Sequence, residues 1–262
     1  MEINLKGKTV LITGGASGAG VSIVKQFAKT GCNIAFTYNH SKQNADALIN
    51  ELSNQIKIKA YYFNQANIDT IKPLIEEIIK DFSHIDVLVN NAGIYPSKSL
   101  NNITENDFDE MMDVNNKGVF FLSKEVAKLM NVGSIINISS INATNPASKL
   151  IQYGISKAAV EMQTKCLAYE LGPNIRVNCI APGLIYKQGQ EEFIPGWVES
   201  YKQRSALNKL VDPKDVANAC IFFASDLSNA ITGQILTVDC GVTLAPAFYN
   251  ELEDWYEQRW CY

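Results

Sequence analysis

Along the 262 residues, short apolar runs alternate with longer stretches in which apolar positions return every three or four residues. Thr9–Ile12, Asn33–Tyr38, Ala60–Phe63, Val87–Val89, Ser134–Ile138, Arg176–Ile180 and Ile235–Val238 read as strands. The longer period predicts helices near 18–30, 42–54, 70–82, 104–130, 153–171 and 213–225. Several strands are apolar at every position rather than at every second one, the pattern of a parallel sheet covered on both faces. Sustained strand–helix alternation then predicts right-handed βαβ units and an α/β fold, a doubly wound parallel sheet in a single domain with helices on both faces. No internal repeat or Pro/Gly-rich linker interrupts the chain. Two segments break the rhythm: Leu184–Ala206, and the aromatic tail after Leu244. The domain is therefore expected to span 1–244, with 245–262 packing on it or on a partner subunit.

Composition narrows the function mainly by exclusion. A formal net charge of -4 gives no electrostatic reason to expect nucleic acid or an anionic membrane as partner. The opening MEINLKGKTVLITGG lacks a basic stretch followed by a long apolar core, so no secretory signal is expected. No apolar run reaches the roughly 20 residues of a membrane helix. The six cysteines are scattered without a CxxC pair and read as reduced, mostly buried small hydrophobes. His40 and His84 have no ligand-spaced partners, which predicts no metal site. The sequence also lacks a GxSxG elbow. A cytoplasmic, metal-free protein is the expectation.

The first candidate chemistry is the turn TGGASGAG at Thr13–Gly20, directly between the first strand and the first helix. Glycines let the backbone turn sharply and approach a ligand with no Cβ in the way. The free amides of the helix N-terminus favour a pyrophosphate. Gly14, Ser17, Gly18, Ala19 and Gly20 are thus candidate dinucleotide contacts in a Rossmann-type unit. Such a unit usually places an acidic residue at the end of the second strand to take the ribose 2′-hydroxyl. Here that strand ends FTYNHSK, and no Asp or Glu occurs between Val21 and Ala45. Tyr38, Asn39 and Ser41, with His40 and Lys42, offer donors and positive charge instead. NADP(H) is therefore favoured, with NAD(H) left open.

The second is Tyr153 and Lys157, four residues apart. On a helix that spacing advances the chain by about 6 Å and turns it by about 40°, so both side chains share one face. Tyrosine titrates near 10, too high for acid–base work at neutral pH. A cation about 4 Å away at an effective dielectric near 20 is worth roughly 4 kcal/mol. That would lower the tyrosine pKa by up to about three units. The bare pattern also arises by chance on helix surfaces, so context decides.

That context is TGxxxGxG at Thr13–Gly20, NNAG at Asn90–Gly93, an asparagine at Val114–Asn115, ISS ending at Ser140, YxxxK at Tyr153–Lys157 and PG at Pro182–Gly183. In this order and spacing the chain resembles the short-chain dehydrogenase/reductase family over about residues 5–244, and most of all its 3-oxoacyl-carrier-protein reductase-like members. The resemblance implies a ketone and secondary-alcohol oxidoreductase with a catalytic set of Asn115, Ser140, Tyr153 and Lys157. Tyr153 would be the acid/base group, and Ser140, rather than Ser139, would bind the substrate oxygen. Lys157 would hold nicotinamide-ribose hydroxyls, and Asn115, an asparagine that interrupts its helix, a proton-relay water. Asn64, Asn91, Ala92, Gly93, Pro182, Gly183 and Ile185 are implied as further cofactor contacts. For Asn90, support of the sheet and direct contact both stay open.

Three departures accompany the match. Asn64 stands where the family commonly has Asp, Lys187 where PGxIxT has Thr, and Cys240 interrupts the glycine pair after Asp239. The resemblance implies a mobile substrate loop over about 184–206, with Gly189 and Gly196 as hinges. Tyr95, Phe193 and Trp197 are candidate substrate contacts, with Ile94, Pro96, Ile194 and Tyr201 nearby. Relatives of this kind usually assemble as tetramers or dimers through the long helices near 104–130 and 153–171. Val119, Phe120, Leu122, Val126, Ala158, Val160, Met162 and Leu167 exceed what one sheet-facing stripe requires. A homo-oligomer acting on a small carbonyl or alcohol substrate is expected. The alternatives are a cofactor-binding regulatory or scaffold protein without turnover, or a related epimerase or dehydratase.

Overall fold

A computed structural model describes Ile3, residues 5–186 and residues 196–244. Seven parallel strands form one sheet: β1 (Thr9–Ile12), β2 (Asn33–Tyr38), β3 (Ile58–Tyr62), β4 (Val87–Asn90), β5 (Gly133–Ile138), β6 (Ile175–Pro182) and β7 (Ile235–Val238). Their spatial order is β3-β2-β1-β4-β5-β6-β7, so the chain changes winding direction between β1 and β4. The expected doubly wound, Rossmann-type α/β architecture is what the chain adopts.

Successive strand residues face opposite layers, and both layers are apolar. Val10 and Ile12 join Ile34, Phe36, Val87 and Val89 on one face, beneath α1 (Ala19–Lys29), α2 (Lys42–Leu52) and a helix over Pro213–Ala224. Leu11, Leu88, Ile135 and Val177 face the other layer, which holds α3 (Ile71–Phe82) and residues of two long helical segments. This two-sided burial is why the strands read as unbroken apolar runs.

The helix expected near 104–130 is divided. It comprises α4 (Glu105–Met112), a π-helical turn over Asp113–Lys117 and α5 (Gly118–Ala127). The extra residue of the wider turn lets Asn115 point inward, and a 3.6-residue pattern gives no sign of it. The next helix, α6, runs Ile151–Glu170, and α7 (Trp197–Gln203) and α8 (Pro213–Ala224) follow. Of the eight apolar positions that exceed one sheet-facing stripe, Val119, Leu122, Val126, Val160 and Leu167 are buried within the monomer. Phe120 and Met162 do face solvent, joined by Ile155 and Tyr169.

Other expectations resolve more simply. Cys32, Cys179 and Cys220 are buried and unpaired, whereas Cys166 is exposed. Burial pushes the Cys32 thiol up to about 11 and Cys179 up to about 12, which keeps both protonated and unreactive. Among the described residues, no helix is long and apolar enough to cross a membrane. Lys187, Gly189, Phe193, Ile194 and the tail after Leu244 lie outside the described residues.

The edge strand β3 is lined by charge. Lys59 Nζ contacts Asp81 at 2.7 Å and Glu77 at 3.3 Å, and the Tyr61 hydroxyl donates to Asp81 at 2.7 Å. At α8, a capping box joins Asp212 and Asp215 to each other's backbone amides, with proline in the first turn. Asp212→Ala should cost about 1 kcal/mol. Calorimetry should show Tm lower by about 2–4 °C with the sheet intact.

Candidate active site

The candidate catalytic residues and the glycine turn gather at the carboxyl ends of β1, β4 and β5, beside the switch point. In open α/β sheets that crevice is where ligands bind. Thr13 ties its two sides together. Its Oγ accepts the amides of Asn91 and Ala92, both at 3.0 Å. In return Asn91 Nδ2 donates to the carbonyls of Thr13 (2.9 Å) and Gly14 (3.2 Å). The Asn91 amide thus fastens the glycine turn to the NNAG segment. Asn90 is committed to the sheet interior: its Nδ2 donates to Ser123 Oγ and Asn137 Oδ1.

The turn itself is shaped for close approach. A Cβ at Gly20 would stand 2.1 Å from the Gly14 carbonyl oxygen, and one at Gly14 3.0 Å from Ala92 Cα. Gly18 has φ +53°, and a Cβ there would meet nothing within 4 Å. It is also the N-cap of α1, with no side chain capping the first turn. Open space in front of uncapped helix amides, flanked by Ser17 and Ala19, fits a pyrophosphate. At the end of β2, Tyr38 packs edge-on against Tyr62, and Asn39 Nδ2 lies 3.2 Å from His40 Nε2. Lys42 is already paired with Asp46 at 2.9 Å. Such an exposed pair is weakly held and readily exchanged. Ser41 precedes α2, and the Asn64 side chain accepts the Ala66 amide at 3.1 Å in the loop after β3.

Four side chains converge opposite this turn. The π-helical turn carries Asn115, whose Oδ1 accepts the Ile94 amide and whose Nδ2 donates to the Ile94 carbonyl, both at 2.8 Å, and to Ser156 Oγ at 3.1 Å. Ser140 ends β5, and its Oγ accepts the Asn142 amide at 3.2 Å. Its neighbour Ser139 turns inward, bonding Glu161 Oε1 (3.1 Å) and the Lys157 carbonyl (3.2 Å). That leaves Ser140 facing the crevice. Tyr153 and Lys157 lie on one face of α6 as the spacing requires, with Nζ 5.8 Å from the tyrosine ring centroid. A Cβ at Gly93 would stand 3.1 Å from Asn115 Oδ1 and 3.5 Å from Lys157 Nζ, so Gly93 lies between them.

The electrostatics differ from the expectation of an acidified tyrosine. Burial raises the Tyr153 pKa, and the neighbouring Ser140 side chain only partly opposes it. The Lys157 ammonium, 5.8 Å from the tyrosine ring centroid, donates to the Ile138 carbonyl at 2.8 Å. Lys157 is only 5 % exposed, and burial lowers its own pKa to about 8. In this state the tyrosine is firmly protonated.

Around the four, Tyr95 packs edge-on against Tyr153 at 6.1 Å. Gly183 follows Pro182 against the end of β7, and Ile185 pairs with Val211. Trp197 and Tyr201 stack edge-on along α7, and the Tyr201 hydroxyl accepts the Leu184 amide at 3.0 Å. The sequence reading passed over Thr13, Gln65, Ser156 and Glu161. Each acts through a neighbour, and only the polar character of Gln65 after the apolar run YYF hinted at a role.

A family model described as Enoyl-(Acyl carrier protein) reductase matches residues 14–243. The chain is 37 % identical over 247 residues to the 3-oxoacyl-[acyl-carrier-protein] reductase FabG of Thermotoga maritima, covering 92 % of this chain and all of that one. It belongs to the short-chain dehydrogenase/reductase family. A 3alpha-hydroxysteroid dehydrogenase of Mediterraneibacter gnavus is 34 % identical, over 91 % of this chain and 98 % of its own. Among solved structures, a short-chain dehydrogenase of Burkholderia cenocepacia in complex with NADP superimposes with a TM-score of 0.87 at 30 % identity, covering 92 % and 99 % of the two chains. As a member of this family the protein is an oxidoreductase.

The buried ammonium of Lys157 has a measurable consequence. Its folded-state pKa lies below the unfolded value, so between about 8 and 10.5 the unfolded chain binds more protons. The destabilisation is full below about pH 8 and is relieved as pH rises through that window. The stability difference between wild type and Lys157→Met should therefore move in favour of wild type by on the order of 3 kcal/mol across this range, read by urea titration of the ligand-free proteins.

Proposed function

We propose that this short-chain dehydrogenase/reductase interconverts a ketone and a secondary alcohol with NADP(H), using Tyr153 as the acid/base group. The observation that carries the reading is the convergence of a protonated Tyr153, Ser140, Lys157 and Asn115 on one crevice beside an uncapped glycine turn. A buried, neutral tyrosine suits the proton donor of a ketone reduction. Bound NADPH would supply the hydride to the carbonyl carbon. Ser140 would hold the substrate oxygen toward the Tyr153 hydroxyl, which gives up its proton as negative charge develops there. Lys157 would take ribose hydroxyls and, as a cation, stabilise the tyrosinate that remains. Asn115 holds Ile94 and Ser156 and so fixes the wall from which a water could return the proton.

The relatives' names support the chemistry, pairing a 3-oxo reductase with a 3-hydroxy dehydrogenase, the two directions of one interconversion. Gly14, Ser17, Gly18 and Ala19 would hold the pyrophosphate, and Asn64 the adenine side. Tyr38, Asn39 and Ser41 would face a ribose 2′-phosphate with no carboxylate from the strand end to repel it. The NADP bound by the Burkholderia cenocepacia neighbour is in keeping with this. Asn91, Ala92, Gly93, Pro182, Gly183 and Ile185 would wall the nicotinamide half. Tyr95, packed on Tyr153, and Trp197 would flank the side where a small carbonyl substrate enters.

NADPH oxidation with a panel of ketones tests the proposal. Wild type should show a higher kcat/KM with NADPH than with NADH. Tyr153→Phe should retain NADPH binding while turnover falls by about 10²–10⁴-fold; near wild-type turnover in that variant would remove the mechanism. The exposed Phe120, Ile155, Met162 and Tyr169 further support pairing of α5 and α6 between copies. Light scattering at micromolar concentration should then give a dimer or tetramer mass, and a single 29.0 kDa chain would refute the assembly.

A further inference from the structure

We propose that Gln65 is a positioning residue of this active site, its carboxamide fixing the two peptide planes that carry Gly93 and Asn115. The inference rests on the oxidoreductase reading above. Gln65 is 4 % exposed and lies in the loop that leaves β3. Its Nε2 donates one hydrogen to the Val114 carbonyl at 2.7 Å and the other to the Ala92 carbonyl at 3.2 Å. Those oxygens belong to the peptide bonds that lead into Asn115 and Gly93. Gly93, which lies between Asn115 and Lys157 Nζ, and Asn115 itself are thus each gripped through the preceding carbonyl by the same amide group.

The geometry also explains why an amide is placed there. A π-helical turn displaces backbone carbonyls from their regular partners, and a buried carbonyl left alone is costly. Gln65 supplies a side-chain donor to the Val114 carbonyl within that turn. Its backbone is pressed against the same turn: a Cβ at Gly118 would stand 2.2 Å from the Gln65 carbonyl oxygen and 2.6 Å from its Cγ. Only a donor fits this position, since a carboxylate would face two carbonyl oxygens. Because Gln65 follows Asn64, it joins the adenine side of the crevice to the turn that presents Asn115.

Gln65→Met keeps the length and removes both donors. It should lower kcat for NADPH-dependent reduction of ethyl acetoacetate, or the best ketone of the panel, by about tenfold or more through misplacement of Asn115. The KM for NADPH should stay within about threefold, because the glycine turn is untouched. Ser134→Ala, which removes an equally buried hydrogen bond at the opposite end of β5, controls for stability and should leave kcat unchanged. A Gln65→Met enzyme with wild-type kcat, or one that loses kcat only as far as Ser134→Ala does, overturns the proposal.

If Gln65→Met does not fold, Gln65→Glu decides. Burial should raise that carboxyl's pKa, and the protonated acid restores one donor. Its activity relative to wild type should climb as pH falls from about 8 to about 5.5, and a flat ratio refutes the role. Should wild type reduce no ketone, the oxidoreductase reading alone fails. Amide hydrogen exchange across Asp113–Lys117 then tests the grip directly: faster exchange in Gln65→Met supports it, and equal exchange overturns it.

Discussion

The site depends on a reciprocal set of hydrogen bonds at the point where β1 and β4 diverge. Thr13 accepts two amides from the segment after β4, and Asn91 returns its side-chain amide to two carbonyls of the glycine turn. Parallel strands that separate into opposite windings leave a crevice between their ends, and beyond the ladder bond from the Thr13 amide to the Val89 carbonyl its walls are held in register by side chains. These are short side chains that have few rotamers to lose. The glycine turn and the start of the NNAG segment inherit their relative position from them.

A second tension runs between stability and readiness for chemistry. The sheet is closed by apolar layers on both faces, and the site places an ammonium and a phenol at the boundary of that core. Lys157 meets its burial by bonding the Ile138 carbonyl, and Tyr153 meets its own by staying neutral. A strained protonation state at a functional site is the usual departure from an otherwise self-consistent fold. Here it is carried by α6, which Val160 and Leu167 anchor elsewhere in the core.

The fold was legible because buried parallel strands leave a simple signature: three strands coincide with their sequence reading and the other four differ by a few residues at their ends. The shared face of Tyr153 and Lys157 was legible from helical spacing, whereas Ser140 was legible only through the family resemblance of its ISS segment. The π-helical turn was not legible in the apolar pattern, because one extra residue in a helix changes no local propensity and shifts the period by less than the pattern can resolve. Only the family resemblance pointed to an interruption at Asn115. The sign of the Tyr153 shift was misread for a related reason. Spacing along a helix gives proximity, but where an ammonium points depends on which carbonyls the folded chain leaves open, and Ile138 became visible only in three dimensions. The apolar residues of α5 and α6 show the same limit: a count of hydrophobic positions does not say which layer takes them.

The two borders of the sheet carry unequal chemistry. On the β3 side, Lys59 is held over the strand by Asp81 and Glu77, with Lys57 at its entry bonded to the Asp81 carbonyl. A neighbouring backbone approaching there would have to displace this charge lattice before it could form a single ladder bond. On the β7 side, Leu236 and Thr237 are exposed, and no residue of the strand is charged. Among the described residues, the ladder is therefore sealed at one margin and extensible at the other. Any growth of the sheet beyond one chain has a single direction open to it.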